Sequence, residues 1–154
     1  LDQLREGIRT PIMDIREEVN LGMIRRGPAF DRKGKDRIGK IAVLGTSSTV
    51  LRGLYNFPGF DYVELSFQDL DALNAAIFKY NKGEDRRKQQ KIVEGIARKY
   101  LRKGADTILI ACTEPSVMLK DVNIPKIDTL DILVESVIKK FRDQKYPPSR
   151  PFYF

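Results

Sequence analysis

The residues best suited to chemistry are one thiol and one run of hydroxyls. Cys112, the only cysteine in 154 residues, follows the apolar run Thr107-Ile108-Leu109-Ile110-Ala111 and precedes Thr113, Glu114 and Pro115. Proline there suits the first position of a helix. A thiol between the end of a buried strand and a helix start lies where open α/β sheets bind ligands, and the helix dipole favours its reactive thiolate. A free cysteine is equally at home packed in a core. The hydroxyl run is Thr46-Ser47-Ser48-Thr49, after Ile41-Ala42-Val43-Leu44-Gly45. Hydroxyls and unpaired amides at a helix start can hold a carboxylate or phosphate, and they are also ordinary helix caps. The loop is not of the Walker type, because the second glycine and the Lys-Ser/Thr pair are missing.

Composition removes several chemistries. The chain has no histidine, which excludes Ser-His-Asp and Cys-His catalysis and histidine-ligated metals within it. A single cysteine forms no internal disulfide and fits a reducing compartment. The first residues, Leu1-Asp2-Gln3-Leu4-Arg5-Glu6, are not a signal peptide, and no apolar run is long enough to cross a bilayer. A cytoplasmic protein without membrane contact is expected. The net charge of +7 could attract an acidic ligand or nucleic acid. However, the lysines and arginines between Lys79 and Lys103 are interleaved with acids and carry no recognition motif, so nucleic acid is not an expected partner.

The elements that must position these groups alternate between strand and helix patterns. Thr10-Pro11 predicts a helix start, with Ile12, Ile15, Val19 and Met23 on one face and a stop near Gly27-Pro28. Asp31 to Lys40 reads as a charged linker. Ile41–Leu44, Tyr62–Ser66, Thr107–Ala111 and Pro125–Asp128 read as strands. Asp69 would cap a helix carrying Leu70, Leu73, Ala76, Ile77 and Tyr80. The clearest helix runs from about Asp85 to Lys103 and stops at Gly104. A last helix, capped by Asp128 or Thr129, would turn Leu130, Leu133, Val134, Val137, Ile138 and Phe141 inward. Tyr146 to Phe154 is a proline and aromatic tail. No internal repeat is evident. The predicted fold is α/β: a small parallel sheet of about four strands flanked by helices, a Rossmann-like or flavodoxin-like lobe. Residues 1–37 form a leading helix and linker, 38–142 the lobe and 143–154 the tail. The loops after the strands should open on one sheet edge as a cleft with hydroxyls, amide donors and one thiol.

Three stretches in this order resemble the aspartate/glutamate racemase superfamily, specifically its aspartate-racemase-like branch. They are Ile41-Ala42-Val43-Leu44-Gly45-Thr46-Ser47-Ser48-Thr49 with Tyr55, Gly104-Ala105-Asp106 through Cys112-Thr113-Glu114, and Ile124-Pro125-Lys126-Ile127-Asp128-Thr129. The Cys-Thr-Glu element after Gly-Ala-Asp is the most specific part. The resemblance implies two similar α/β lobes, no cofactor, and a cysteine from each lobe flanking the α-carbon of an acidic amino acid such as aspartate. One thiolate removes the α-proton and the opposite thiol returns one to the other face. Cys112 would be the second-lobe cysteine. Thr46, Ser47, Thr49 and Thr113 would hold substrate carboxylates. Glu114 stands where the glutamate-specific branch has histidine, which implies an aspartate-like preference. Lys82 matches a functional lysine of aspartate racemases.

The resemblance covers only the second lobe. Thr10-Pro11-Ile12-Met13-Asp14-Ile15 resembles the segment that ends the first, and one thiol cannot serve both faces of an α-carbon. The expected partners are therefore a complementary lobe or a second copy in a homodimer. Two further readings stand beside the racemase: a one-sided, single-cysteine decarboxylase-type enzyme, and a non-catalytic carboxylate-binding module.

Overall fold

A computed structural model describes residues 6, 12–26 and 39–143. The expected helix start at Thr10-Pro11, its stop at Gly27-Pro28, most of the charged linker and the aromatic tail lie outside them. The described elements are α1 (Ile15–Arg26), β1 (Lys40–Leu44), α2 (Ser47–Leu51), β2 (Asp61–Tyr62), α3 (Phe67–Asn81), α4 (Arg86–Arg102), β3 (Thr107–Ile110), α5 (Thr113–Leu119), β4 (Lys126–Asp128) and α6 (Thr129–Asp143). The four strands form one parallel sheet in the order β2-β1-β3-β4. The fold is thus the α/β lobe that the alternation of strand and helix patterns predicts.

Alternation along the strands builds two cores. Ala42, Leu44, Ile108 and Ile110 face one side, where α3, α4 and α5 cover them with Leu73, Ile77, Val93, Ala97, Tyr100, Met118 and Leu119. Ile41, Val43, Leu109 and Ile127 face the other, against Val19 and Met23 of α1, Ile132 of α6 and Tyr55. Strands covered on both faces read as continuous apolar runs, which is why β1 and β3 are so visible in the sequence.

Three local expectations change. The second strand is shorter than Tyr62–Ser66. After Val63, whose amide still donates to Ile41 at 2.8 Å, the chain leaves the sheet, and the Ser66 amide donates to the Tyr100 hydroxyl at 2.7 Å. Ser66, not Asp69, is the N-cap of α3. Its hydroxyl accepts from the Asp69 amide at 3.3 Å and donates to the Asp69 carboxylate at 2.6 Å, a reciprocal cap. That carboxylate also receives Lys99 at 2.7 Å and the Tyr100 hydroxyl at 2.8 Å, so one side chain joins the start of α3 to the end of α4.

The third change concerns α6. Its inward residues are Thr129, Ile132 and Ser136, while Val134, Val137, Ile138 and Phe141 are 46–67% exposed. Helical periodicity identifies residues that share a face but not the face that turns inward, and α6 carries apolar residues on more than one. The neighbour decides. Ile132 packs on Gly22 of α1, where a Cβ would stand 2.9 Å from it, and Lys140 pairs with the buried Glu18.

A short repeat also emerges that the unaligned sequence hides. Pro11-Ile12-Met13-Asp14 precedes α1 and Pro125-Lys126-Ile127-Asp128 precedes α6. Asp14 accepts from the Arg16 amide and Asp128 from the Leu130 amide, both at 2.9 Å and both two residues ahead.

Two outcomes test this packing. Gly22→Ala should destabilise the fold by about 1 kcal/mol in urea denaturation, because overpacking against Ile132 exceeds the gain in helix propensity. Gly95→Ala in α4, where a Cβ meets nothing within 4 Å, should stabilise it by roughly 0.5–1 kcal/mol. A further outcome concerns acid. Lys99, followed by Ser66, holds the Asp69 carboxyl down at about 2. A depressed carboxyl contributes stability above its unfolded value and loses it as pH falls through the folded one. Asp69→Asn should therefore be less stable than the parent at about pH 7, and the difference should vanish near pH 2. An undiminished difference in acid would contradict the assignment.

Candidate functional site

The carboxyl ends of β1 and β3 lie side by side, paired as Leu44 with Ile110, and the Ala111 amide donates to Leu44 at 2.8 Å. At the next step Gly45 passes so close to Ala111 that a Cβ would stand 3.1 Å from its carbonyl oxygen and 3.3 Å from the Thr49 methyl. Only a glycine lets the two loops touch without displacement. Thr46 and Cys112, each one residue further on, therefore open on the same edge.

The first loop is a tightly bonded helix start. Thr46 caps α2 in an extended conformation, its hydroxyl 3.4 Å from the Thr49 amide and 3.1 Å from the Thr49 hydroxyl. The Ser47 amide donates to Asn74 of α3 at 3.0 Å, and the Asn74 amide group donates back to the Ser47 hydroxyl. Ser47 is thus anchored to α3, while Thr46 and Thr49 remain half-buried at the edge.

The second loop places Cys112 as the N-cap of α5. Pro115 stands at the third helical position rather than the first, where its missing N–H costs nothing. Cys112 is half-buried. Its Sγ donates to Glu114 Oε2 at 2.9 Å; Thr113 donates to the same oxygen at 2.9 Å and Asn81 Nδ2 to Oε1 at 2.9 Å. The expected thiolate is not the resting form. Burial, and then the hydrogen bond to the Glu114 carboxylate, push the thiol up to about 11. The dipole of the seven-residue α5 does not overcome them. The thiol and Asn81 in turn hold the Glu114 carboxyl down at about 2. An ionised Glu114 repels a substrate carboxylate, and its geometry suits a hydrogen-bond acceptor that keeps the proton on Cys112.

A polar wall borders the thiol on the other sheet face. Tyr55 is buried, and burial pushes its phenol up. Asp128 caps α6 and accepts from Ser116 of α5, which ties the third loop to the second. Lys82 lies at the exposed end of α3 with its ammonium 4.5 Å from the Phe78 ring centroid; its neighbour Asn81, not Lys82, reaches Glu114. Sequence reasoning missed Asn74 and Asn81. Both look like ordinary polar positions of α3, and only the fold brings them to the loops. Among the described residues no group of three candidate ligands could hold a metal ion, and no helix is long and apolar enough to cross a membrane.

Residues 1–137 match the Asp/Glu/Hydantoin racemase family. Among solved structures the chain is similar to an aspartate racemase homologue from Pyrococcus horikoshii OT3, with TM-score 0.68 and 21% identity over 90% of this chain and 60% of that one. It is similar to a protein described as an Asp/Glu racemase from Yersinia pestis, with TM-score 0.70 and 20% identity over 90% and 60%. The aspartate racemase of Picrophilus torridus gives 0.65 and 22% over 86% and 53%. At these identities the likeness is one of fold, and the chain spans 53–60% of the length of the structures it resembles.

Removing the carboxylate beside the thiol tests the site electrostatics. Glu114→Gln should lower the thiol's proton affinity and speed iodoacetamide alkylation of Cys112 near neutral pH by roughly three- to thirtyfold. A rate equal to the parent's would show that Glu114 does not hold the thiol proton.

Proposed function

The chain belongs to the Asp/Glu/Hydantoin racemase family, and on that premise we propose that it contributes one half of a cofactor-independent α-proton transfer on an acidic amino acid such as aspartate. The observation that carries this reading is the Cys112 thiol donating to Glu114 at the carboxyl edge of the sheet, beside the Thr46–Thr49 loop. Cys112 is the acid/base. As a thiol it delivers its proton to one face of the α-carbon, the new C–H bond taking the electron pair left when a base on the opposite face removes the original proton. Thr46 and Thr49, with Thr113 and the amides at the helix starts, hold the substrate carboxylates. Ser47 supports their loop through Asn74, and Lys82 supplies a cation at the rim.

The opposing base comes from another lobe, because Cys112 is the only cysteine here. The short repeat supports this. After its Pro-x-x-Asp start α1 lays Val19 and Met23 on the sheet, whereas α6 after the same start turns Val137, Ile138 and Phe141 outward. The exposed Val134, Val137 and Ile138 of that face suit the cover of a second sheet, in a complementary lobe or another copy of the chain. A second reading, one-sided reprotonation by a single thiol as in a decarboxylase-type enzyme, is favoured by the same protonated state of Cys112.

Aspartate in deuterium oxide, followed by NMR, tests the proton transfer, its site and the need for a second lobe. Alone, the chain should exchange the α-proton of one enantiomer without inversion, at a rate rising with pH as the thiol ionises toward about 11. Cys112→Ser should reduce exchange by roughly 10²- to 10⁴-fold. No exchange with either enantiomer would refute the proton-transfer reading, exchange surviving Cys112→Ser would refute the site, and inversion by the chain alone would refute the need for a second lobe.

A further inference from the structure

We propose that Asn81, the last residue of α3, is a positioning residue for the reactive thiol: it anchors Glu114 so that the carboxylate stays against Cys112. This rests on the reading of Cys112 as the proton-transfer group. The geometry is a three-member chain across two elements. Asn81 Nδ2 donates to Glu114 Oε1 at 2.9 Å, and Glu114 Oε2 accepts from Cys112 Sγ at 2.9 Å. Each carboxylate oxygen thus has its own tether, one to α3 and one to the loop that bears the thiol.

The need for an anchor follows from where Glu114 sits. It is the second residue of α5, with part of its surface in water. Its bond to Thr113 is to the adjacent residue and moves with it. Asn81 is 33 residues away in sequence, on a helix packed against α4 and α5 in the larger core, and supplies a fixed point outside α5. An amide is the suitable group for this position. A lysine there would neutralise the carboxylate and weaken its hold on the thiol proton, whereas the neutral amide fixes the oxygen and leaves the charge in place. The adjacent Lys82 is directed instead onto the Phe78 ring.

A second structural feature makes the link specific to the end of α3. The helix closes at Asn81, and Gly83 at φ +78° followed by Asp85 at φ +36° turns the chain sharply into α4. These left-handed positions fix where α3 ends, and therefore where the Asn81 amide stands relative to α5.

The test uses alkylation of the single cysteine by iodoacetamide near neutral pH, which needs no substrate and no turnover. Asn81 is exposed, so Asn81→Ala should fold as the parent does. It should speed alkylation in the same direction as Glu114→Gln but less, by roughly two- to fivefold, because the carboxylate then spends part of its time away from the thiol. The double variant Asn81→Ala with Glu114→Gln should react at the rate of Glu114→Gln alone, since Asn81 acts only through Glu114. A purely structural role would make the two effects multiply. An Asn81→Ala rate equal to the parent's, a slower one, or multiplicative effects in the double variant would each overturn the proposal. Because no substrate takes part, failure of aspartate to exchange leaves this result untouched, and an Asn81→Ala alkylation rate equal to the parent's leaves the exchange result standing.

Discussion

The parallel pairing of β1 with β3 is the constraint on which the rest of the structure depends. It runs through four residue pairs and ends where Gly45 meets Ala111. Without that contact the hydroxyl loop and the thiol loop would be two unrelated helix starts. With it, Thr46 and Cys112 occupy neighbouring positions on one edge. The helices then act as supports. Asn74 and Asn81 of α3 each hold one loop, and Asp128 at the head of α6 ties in the third.

The state of the thiol shows which electrostatic effect dominates at this edge. A helix N-terminus attracts negative charge, but its influence is modest and fades within the first turn. Half-burial of the sulfur and a carboxylate at hydrogen-bond distance oppose ionisation together. The result is a protonated cysteine beside an ionised glutamate. Such a pair carries a proton to give and no thiolate to take one, which places Cys112 on the donating side of the proposed reaction, and the proton is released more easily once something draws Glu114 away.

Much of this was legible in the sequence, and the illegible parts share a physical cause. β1, β3 and α4 are read correctly because buried parallel strands are uniformly apolar and α4 has one apolar stripe between clear boundary residues, Asp85 and Gly104. Cys112 and Thr46 are visible because they terminate those strands. The orientation of α6 is not legible, since Ile132 competes with Val134, Val137 and Ile138 for the inward direction and the choice belongs to Gly22, more than a hundred residues away in sequence. Asn81 is invisible for a similar reason: a polar helix end acquires meaning only when the fold brings Glu114 to it. The protonated thiol is missed because sequence exposes the helix start but not the burial that opposes it.

The central claim is that Cys112 rests as a hydrogen-bonded thiol and not as a thiolate. The absence of any other cysteine makes it directly measurable, by following the ultraviolet absorbance of the thiolate as the folded protein is titrated with base against a Cys112→Ser blank. The account predicts that the cysteine-dependent absorbance appears well above the ordinary thiol value of 9.0, centred at about 11. A transition at or below the ordinary value would contradict it.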